Sequence, residues 1–168
     1  ERPLVLDADA LTALSDDVSS LQTARGPRVL TPHPGEAARL LGTTSAEVQG
    51  DRYAAAIEIS RRSGAVVVLK GARTVIADAR QARIRVCTRG TPAFGVAGTG
   101  DVLSGVLGAL LAHTDAFDAA WAAVHLHAFA GELAALSDRG LFAHEVADEI
   151  PRALSACRQA NTKANTSA

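Results

Sequence analysis

The sequence predicts an α/β domain layered around a mainly parallel sheet, and three observations predict it. Short apolar runs alternate with segments of helical period in the order β-α-β-α-α-β, the pattern of a parallel sheet covered by helices. One of those runs, Ala-Val-Val-Val-Leu at residues 65–69, is uninterrupted and β-branched, as in a strand buried on both faces. A β-hairpin and then consecutive apolar helices complete the chain. Its 168 residues suffice for one domain with a real core, expected over residues 1–160, with a short polar tail at 161–168.

Composition narrows the function classes. The formal net charge of -1 lacks the basic surplus of a nucleic-acid-binding domain. Hydrophobic residues make up 48% of the chain, much of it alanine, yet no run approaches the roughly 18 apolar residues that span a bilayer. The first residues lack the basic, apolar and small-residue regions of a signal peptide. Cys87 and Cys157 fit no metal spacing and read as reduced thiols of a cytoplasmic protein.

The elements follow in order. Leu4-Val-Leu6 is a short strand, followed by Asp7, Asp9 and a helix at 10–14 that Asp9 is expected to cap. Residues 28–31 form a second strand that runs into Pro32-His-Pro-Gly-Glu36 and a helix stopped by Gly42. Residues 45–51 read as a short helix. Residues 52–63 read as a longer amphipathic one with Tyr53, Ala56, Ile57 and Ile59 on its inner side. The strand at 65–69 precedes a hairpin of 74–78 with 83–88, whose second strand alternates as if half exposed. Apolar helices are expected at 101–112 and about 116–137, the second capped by Thr114 or Asp115. His125 and His127 on that second helix read as buried or boundary residues. A last helix at about 144–157 carries Pro151, which divides or kinks it.

The stretch from Thr91 to Gly105, a glycine-spaced loop (Gly95, Gly98, Gly100) running into Asp101, organises the chain chemically. Glycines let backbone approach a ligand with no Cβ in the way. A helix beginning there aims unpaired N–H groups at the loop and makes an anion site. Asp101 reads either as a helix cap or as a base beside a bound phosphate, and spacing alone leaves both open. No Gly-Lys-Ser/Thr follows, so the loop is not a P-loop. Lys70 stands at a strand end beside Gly71, where it would either meet a phosphate or sit in an exposed turn. Asp7 also follows a strand, and ligand binding and turn formation are both open for it. His33 is held between two prolines at a strand-to-helix junction, a place where a histidine is most often simply solvated. Glu36 lies in the first helical turn, where a carboxylate suits the dipole. In parallel sheets such strand ends converge on one rim, which makes a nucleotide-type site the economical reading.

Together these segments resemble the ADP/ATP-dependent NAD(P)H-hydrate dehydratases, enzymes of the ribokinase-like fold. The matching stretches are Leu4-Val-Leu-Asp-Ala-Asp-Ala-Leu11, Leu30-Thr-Pro-His-Pro-Gly-Glu36, Val67-Val-Leu-Lys-Gly-Ala-Arg-Thr74 and Gly98-Thr-Gly-Asp-Val-Leu-Ser-Gly105. Residues 123–131 also look like the family's late buried helix. The resemblance implies a nicotinamide-repair lyase. It phosphorylates the hydroxyl of hydrated NADH or NADPH with ADP or ATP, in the presence of Mg²⁺, and loss of phosphate restores the ring. It implies Asp101 as the base that also contacts the hydrate, and His33 as a hydrate contact. It places the nucleotide on Lys70, Gly71, Ala72, Arg73 and Thr74 and on Gly98, Thr99 and Gly100, with Asp7 and Glu36 as further site residues and no direct protein ligand to the metal. It also implies a homo-oligomer and a preceding epimerase domain.

Two positions depart from the family pattern: Ala97 stands where a second glycine is common, and Thr91 where asparagine is frequent. Ala97 is tolerable only if that position has an ordinary φ. The family's first strands and glycine-rich substrate loop have no counterpart here, so the chain looks like the C-terminal portion of such a domain. Two alternatives share the Gly98–Asp101 element. One is a small-molecule kinase of the hydroxymethylpyrimidine or hydroxyethylthiazole type. The other is a nucleotide-binding fragment without turnover.

Overall fold

The computed structural model describes residues 2–166. Five strands form one sheet in the order β1 (Leu4–Leu6), β2 (Arg28–Leu30), β3 (Val66–Leu69), β4 (Val75–Asp78) and β5 (Arg83–Val86). The first three are parallel, with Val5 opposite Val29 and Leu30 opposite Val67. β4 and β5 add the hairpin antiparallel, with Val68 opposite Ile76 and Ala77 opposite Ile84.

Strand alternation divides the core between two faces. Leu30, Val67, Leu69, Val75 and Ala77 point to one side, where α2 (Pro34–Leu41), α3 (Ser45–Gly50) and α4 (Arg52–Ser63) cover them with Ala37, Leu40, Val48, Ala56 and Ile59. Val29, Val66, Val68 and Ile76 point to the other, against Leu103 and Leu107 of α5 (Thr99–Leu111) and Phe117, Ala120 and Val124 of α6 (Ala116–Ala134). β3 is therefore buried on both faces, as its unbroken apolar run predicts. α7 (Ala143–Thr166) packs outside α5 and α6 around Leu126, Ala130, Val146 and Ala153. A short α1 (Asp9–Ala13) and 3₁₀ turns at Val18–Thr23 and Pro92–Phe94 complete the fold, and neither turn carries a strong sequence pattern. No helix among the described residues is long and apolar enough to cross a membrane.

Several local expectations are corrected. Asp9 does not cap α1. Ala8 occupies that position with φ 49°, and Asp9 sits in the first turn. On α4 the buried stripe is Ala55, Ala56, Ile59, Ser60 and Ser63, while Tyr53 and Ile57 are 53% and 43% exposed. The two serines turn inward because their hydroxyls donate to Ala65 O and Ile59 O at 2.7 and 2.8 Å. Polarity alone therefore misplaces the face. β5 is half exposed as expected, and its two arginines also lie over aromatic rings. Arg83 lies 4.2 Å from the centroid of Phe117 and Arg85 5.4 Å from that of Trp121, and Arg83 also donates to Asp118 at 2.5 Å. α7 runs unbroken through Pro151, since Pro151 and Ala147, whose carbonyl loses its donor, both face solvent. It continues to Thr166, into the stretch expected as a tail, whose last two residues lie outside the described residues.

Candidate active site

The carboxyl ends of the three parallel strands are stitched together. Thr31 N–H donates to Leu6 O at 3.1 Å, and Lys70 N–H to Pro32 O at 2.8 Å. The residues just beyond the strands are thereby fixed side by side. Lys70 Nζ donates to Asp7 Oδ1 at 2.7 Å and lies 3.8 Å from Glu36 Oε2. Ser104 Oγ donates to the other Asp7 oxygen at 3.0 Å. Burial pushes the Asp7 carboxyl up, but the bond and charge of Lys70 and the Ser104 hydroxyl outweigh it and leave it below its ordinary value. Asp7 is thus part of a polar cluster, and not merely a turn residue. Its backbone exit is tight, because Ala8 N–H bonds back to Oδ1 at 3.0 Å with Ala8 in a positive-φ conformation.

His33 is the N-cap of α2. Its Nδ1 accepts from the N–H groups of Gly35 and Glu36 at 2.9 and 3.2 Å, and Glu36 Oε2 accepts from His33 N–H at 2.7 Å. This reciprocal box fills two orphan donors of the helix start. It also fixes the imidazole: with Nδ1 accepting, the ring proton of the neutral form sits on Nε2. Nε2 lies 3.6 Å from Glu36 Oε1 on a half-exposed ring, so one donor faces the rim. Glu36 itself is buried and touches both His33 and Lys70.

α5 begins at the same rim. Gly98 is its N-cap with φ 87°, a left-handed conformation, and a Cβ there would lie 3.1 Å from Ala143 Cβ. Among the described residues the N–H groups of Gly98, Thr99 and Gly100 have no protein acceptor. Gly100 faces the polar cluster, since a Cβ on it would stand 3.6 Å from Asp7 Oδ2 and 3.7 Å from Lys70 Nζ. Asp101 is exposed in the first turn and makes no side-chain cap, so the capping reading of that residue falls. Ala97 has no positive φ, which removes the strain its Cβ would have caused.

Behind this turn sits His127. Its Nε2 lies 2.9 Å from Thr99 O, and its ring stacks on Phe94 at 4.6 Å between centroids. A carbonyl only accepts, so Nε2 carries the proton. Burial pushes the imidazole down to about 4, which keeps it neutral. Gly131, one turn further along α6, leaves the slot that the Phe94 ring fills, and a Cβ there would collide with it. The boundary role expected of His127 is therefore specific: it holds the start of α5 from behind through Thr99 O. Its partner Phe94 was not singled out by any sequence pattern.

The segment Lys70–Thr74 is a turn of special backbone, with Gly71 at φ 139° and Arg73 at φ 58°. Thr74 Oγ1 donates to Gly71 O at 3.1 Å, while Gly71, Ala72 and Arg73 are exposed. Two residues that touch the site were missed. Ser104 lies one turn beyond Asp101 on the same helix face, a spacing that was available to read. Arg52 grips the Lys70 turn from α4, and no local pattern signals it.

Asp7, His33, Glu36, Lys70 and Gly98 to Asp101 thus share one rim, with unpaired N–H groups, one lysine and one unpaired carboxylate. Such a rim can hold a phosphate and accept a proton beside it. Among the described residues no three His, Cys, Asp or Glu side chains are placed to cage a metal ion.

Known proteins share the sequence and the fold described above. Residues 1–152 match the NAD(P)H-hydrate dehydratase family. An ADP-dependent (S)-NAD(P)H-hydrate dehydratase of Neisseria meningitidis is 46% identical over 166 residues, 97% of this chain and 55% of that protein. A bifunctional NAD(P)H-hydrate repair enzyme of Moorella thermoacetica is 44% identical over 90% of this chain and 29% of its own length. The ADP/ATP-dependent NAD(P)H-hydrate dehydratase of Bacillus subtilis, crystallised with ATP and Mg²⁺, superposes with a TM-score of 0.78 and 35% identity, over 92% of this chain and 56% of that one. The solved structures that superpose on the chain include a ribokinase-like superfamily protein, in keeping with the layered sheet described above. The chain spans about half the length of the dehydratases it matches, and it belongs to the NAD(P)H-hydrate dehydratase family.

Proposed function

We propose that the protein carrying this chain uses ADP or ATP to dehydrate hydrated NADH and NADPH, and that the rim described above is its reaction centre. The observation that carries the reading is the meeting of the α5 start with the Asp7–Lys70–Glu36 cluster. It puts unpaired N–H donors, a cation and an unpaired carboxylate within one small site.

The reading gives each residue a role that its position supports. The N–H groups of Gly98, Thr99 and Gly100 stabilise charge on the transferred phosphoryl group. Asp101, exposed and unpaired, takes the proton of the substrate hydroxyl as that oxygen bonds to phosphorus and the bond from phosphorus to the nucleotide oxygen breaks. The hydroxyl becomes a phosphate ester. Its C–O bond then breaks with the electron pair leaving on phosphate, a proton leaves the neighbouring carbon, and the ring double bond returns. His33 Nε2–H, held by its cap, donates to the hydrate. Lys70 and the turn to Thr74 hold the adenine nucleotide, and Glu36 sets both His33 and Lys70.

Mg²⁺ fits this donor set as an ion carried by the phosphates and water, since Asp7 and Glu36 are engaged with Lys70, Ser104 and the α2 start and Asp101 alone does not make a cage. When bound, it spreads the negative charge of the phosphates. Cys87 and Cys157 are unpaired, which supports a cytoplasmic setting. The expected homo-oligomer and the epimerase partner domain belong to the same reading, the second supported by the bifunctional relative.

The test is product analysis with purified protein, hydrate and either nucleotide. Release of free phosphate in step with restored dihydronicotinamide supports the lyase. Accumulation of a stable phosphorylated alcohol would move the reading to a small-molecule kinase.

A further inference from the structure

The turn after β3 is held by one side chain from a different element. Arg52, the first residue of α4, donates from Nη2 to Leu69 O at 3.0 Å and to Lys70 O at 3.2 Å, and from Nη1 to Ala72 O. Three carbonyls of one turn thus converge on one guanidinium. Gly71 makes room for it, because a Cβ at that position would stand 3.0 Å from Nη2. The arrangement has a cost: Arg52 Nε is buried without a partner among the described residues, and burial pulls the guanidinium below its ordinary value.

The consequence lies on the opposite side of the turn. In a trans peptide the N–H points away from the C=O of the same unit. With the carbonyls of Lys70 and Ala72 turned toward Arg52, the N–H groups of Gly71 and Arg73 are aimed the other way. Among the described residues neither has a protein acceptor. Gly71 and Arg73 both have positive φ in this turn, and a non-glycine residue at φ 58° persists where its surroundings hold it. Two N–H groups at alternate residues of one turn are thereby left free to donate on its outer side.

We propose that Arg52 is a positioning residue for the nucleotide: by gathering the carbonyls of Leu69, Lys70 and Ala72 it presents the N–H groups of Gly71 and Arg73 to the acceptor atoms of ADP or ATP. This rests on the assignment of Lys70–Thr74 to the nucleotide. Arg52 touches no ligand itself.

The experiment compares Arg52→Gln, Arg52→Lys and Lys70→Ala in the purified protein. It measures KM for nucleotide and for hydrate, kcat, direct ADP binding and thermal midpoint. Arg52→Gln is expected to raise the nucleotide KM and the ADP Kd about tenfold, with kcat and the hydrate KM within about twofold. Arg52→Lys is expected to recover only part of the loss, since an ammonium lacks the planar fork that spans three carbonyls. Three results would overturn the proposal. Nucleotide binding unchanged in Arg52→Gln but weakened in Lys70→Ala would leave the nucleotide in place and remove Arg52. Nucleotide binding unchanged in both would remove the nucleotide assignment beneath it. An equal loss of hydrate and nucleotide affinity together with a collapse of the thermal midpoint would reduce Arg52 to a general structural role, and Arg52→Lys then shows whether charge alone restores the fold.

Discussion

Among the described residues Asp101 has no partner of its own, whereas Asp7 and Glu36 on the same rim are engaged. That contrast is what suits it to take a proton. Asp101→Asn is expected to cut kcat by roughly 10²–10⁴-fold while leaving ADP binding nearly intact, checked by calorimetry beside turnover. His33 caps α2, and the proposed hydrate contact would be a second duty that substitution separates from it. Asparagine is a good N-cap, so His33→Asn keeps the start of α2 within a few tenths of a kcal/mol yet loses the Nε2 donor and raises the hydrate KM. His33→Ala loses about 1 kcal/mol in addition, read from denaturant midpoints. Much of this scale was legible beforehand. His33, Lys70 and Asp101 stand at strand ends and a helix start, where local sequence carries the information. The partnership of Asp7 with Lys70 and Ser104 was not legible, since these residues lie 63 and 97 positions from Asp7 and only folding joins them.

At the scale of elements, the start of α5 is held from two sides. Gly98 supplies the left-handed cap, and Gly98→Ala places a Cβ at φ 87° and against Ala143. A loss of about 1–2 kcal/mol of stability is expected, together with weakened phosphate affinity, measurable by unfolding and by ADP binding. From behind, α6 supports the turn through His127. This imidazole titrates near 4 in the folded protein and near 6.5 when unfolded, so between those values the unfolded chain binds a proton that the native one does not. Its contribution to stability is whole above about pH 6.5 and declines as pH falls toward about 4, with a slope of up to about 1.4 kcal/mol per pH unit. Subtracting the pH profile of His127→Gln, which keeps a donor to Thr99 O, isolates that slope. A difference profile that is flat from neutrality to pH 4 would contradict the buried neutral imidazole. Helix and strand positions followed from periodicity, but faces did not always. α4 buries Ser60 and Ser63 and exposes Ile57, because hydroxyls that find backbone carbonyls behave as core residues.

The whole molecule is a three-layer domain whose parallel strands all end at one rim, and the order of elements made that architecture readable. Alternation of β and α fixes which ends of the strands carry ligands before any contact is known. What periodicity does not carry is how the layers grip the site's turns: Arg52 from one face and His127 from the other. The chain covers about half of the dehydratases it resembles, yet the turn proposed for the nucleotide, the turn proposed for the phosphate and the candidate base all lie within it. The central claim is that this rim couples phosphoryl transfer to loss of water. Its most direct test follows orthophosphate and dihydronicotinamide absorbance together in one reaction of the purified protein with NADH hydrate and ADP. Equal amounts of both products, rising together and abolished by Asp101→Asn, are expected. Nucleotide consumption that leaves a phosphorylated hydrate, or dihydronicotinamide restored at full rate in Asp101→Asn, would contradict it.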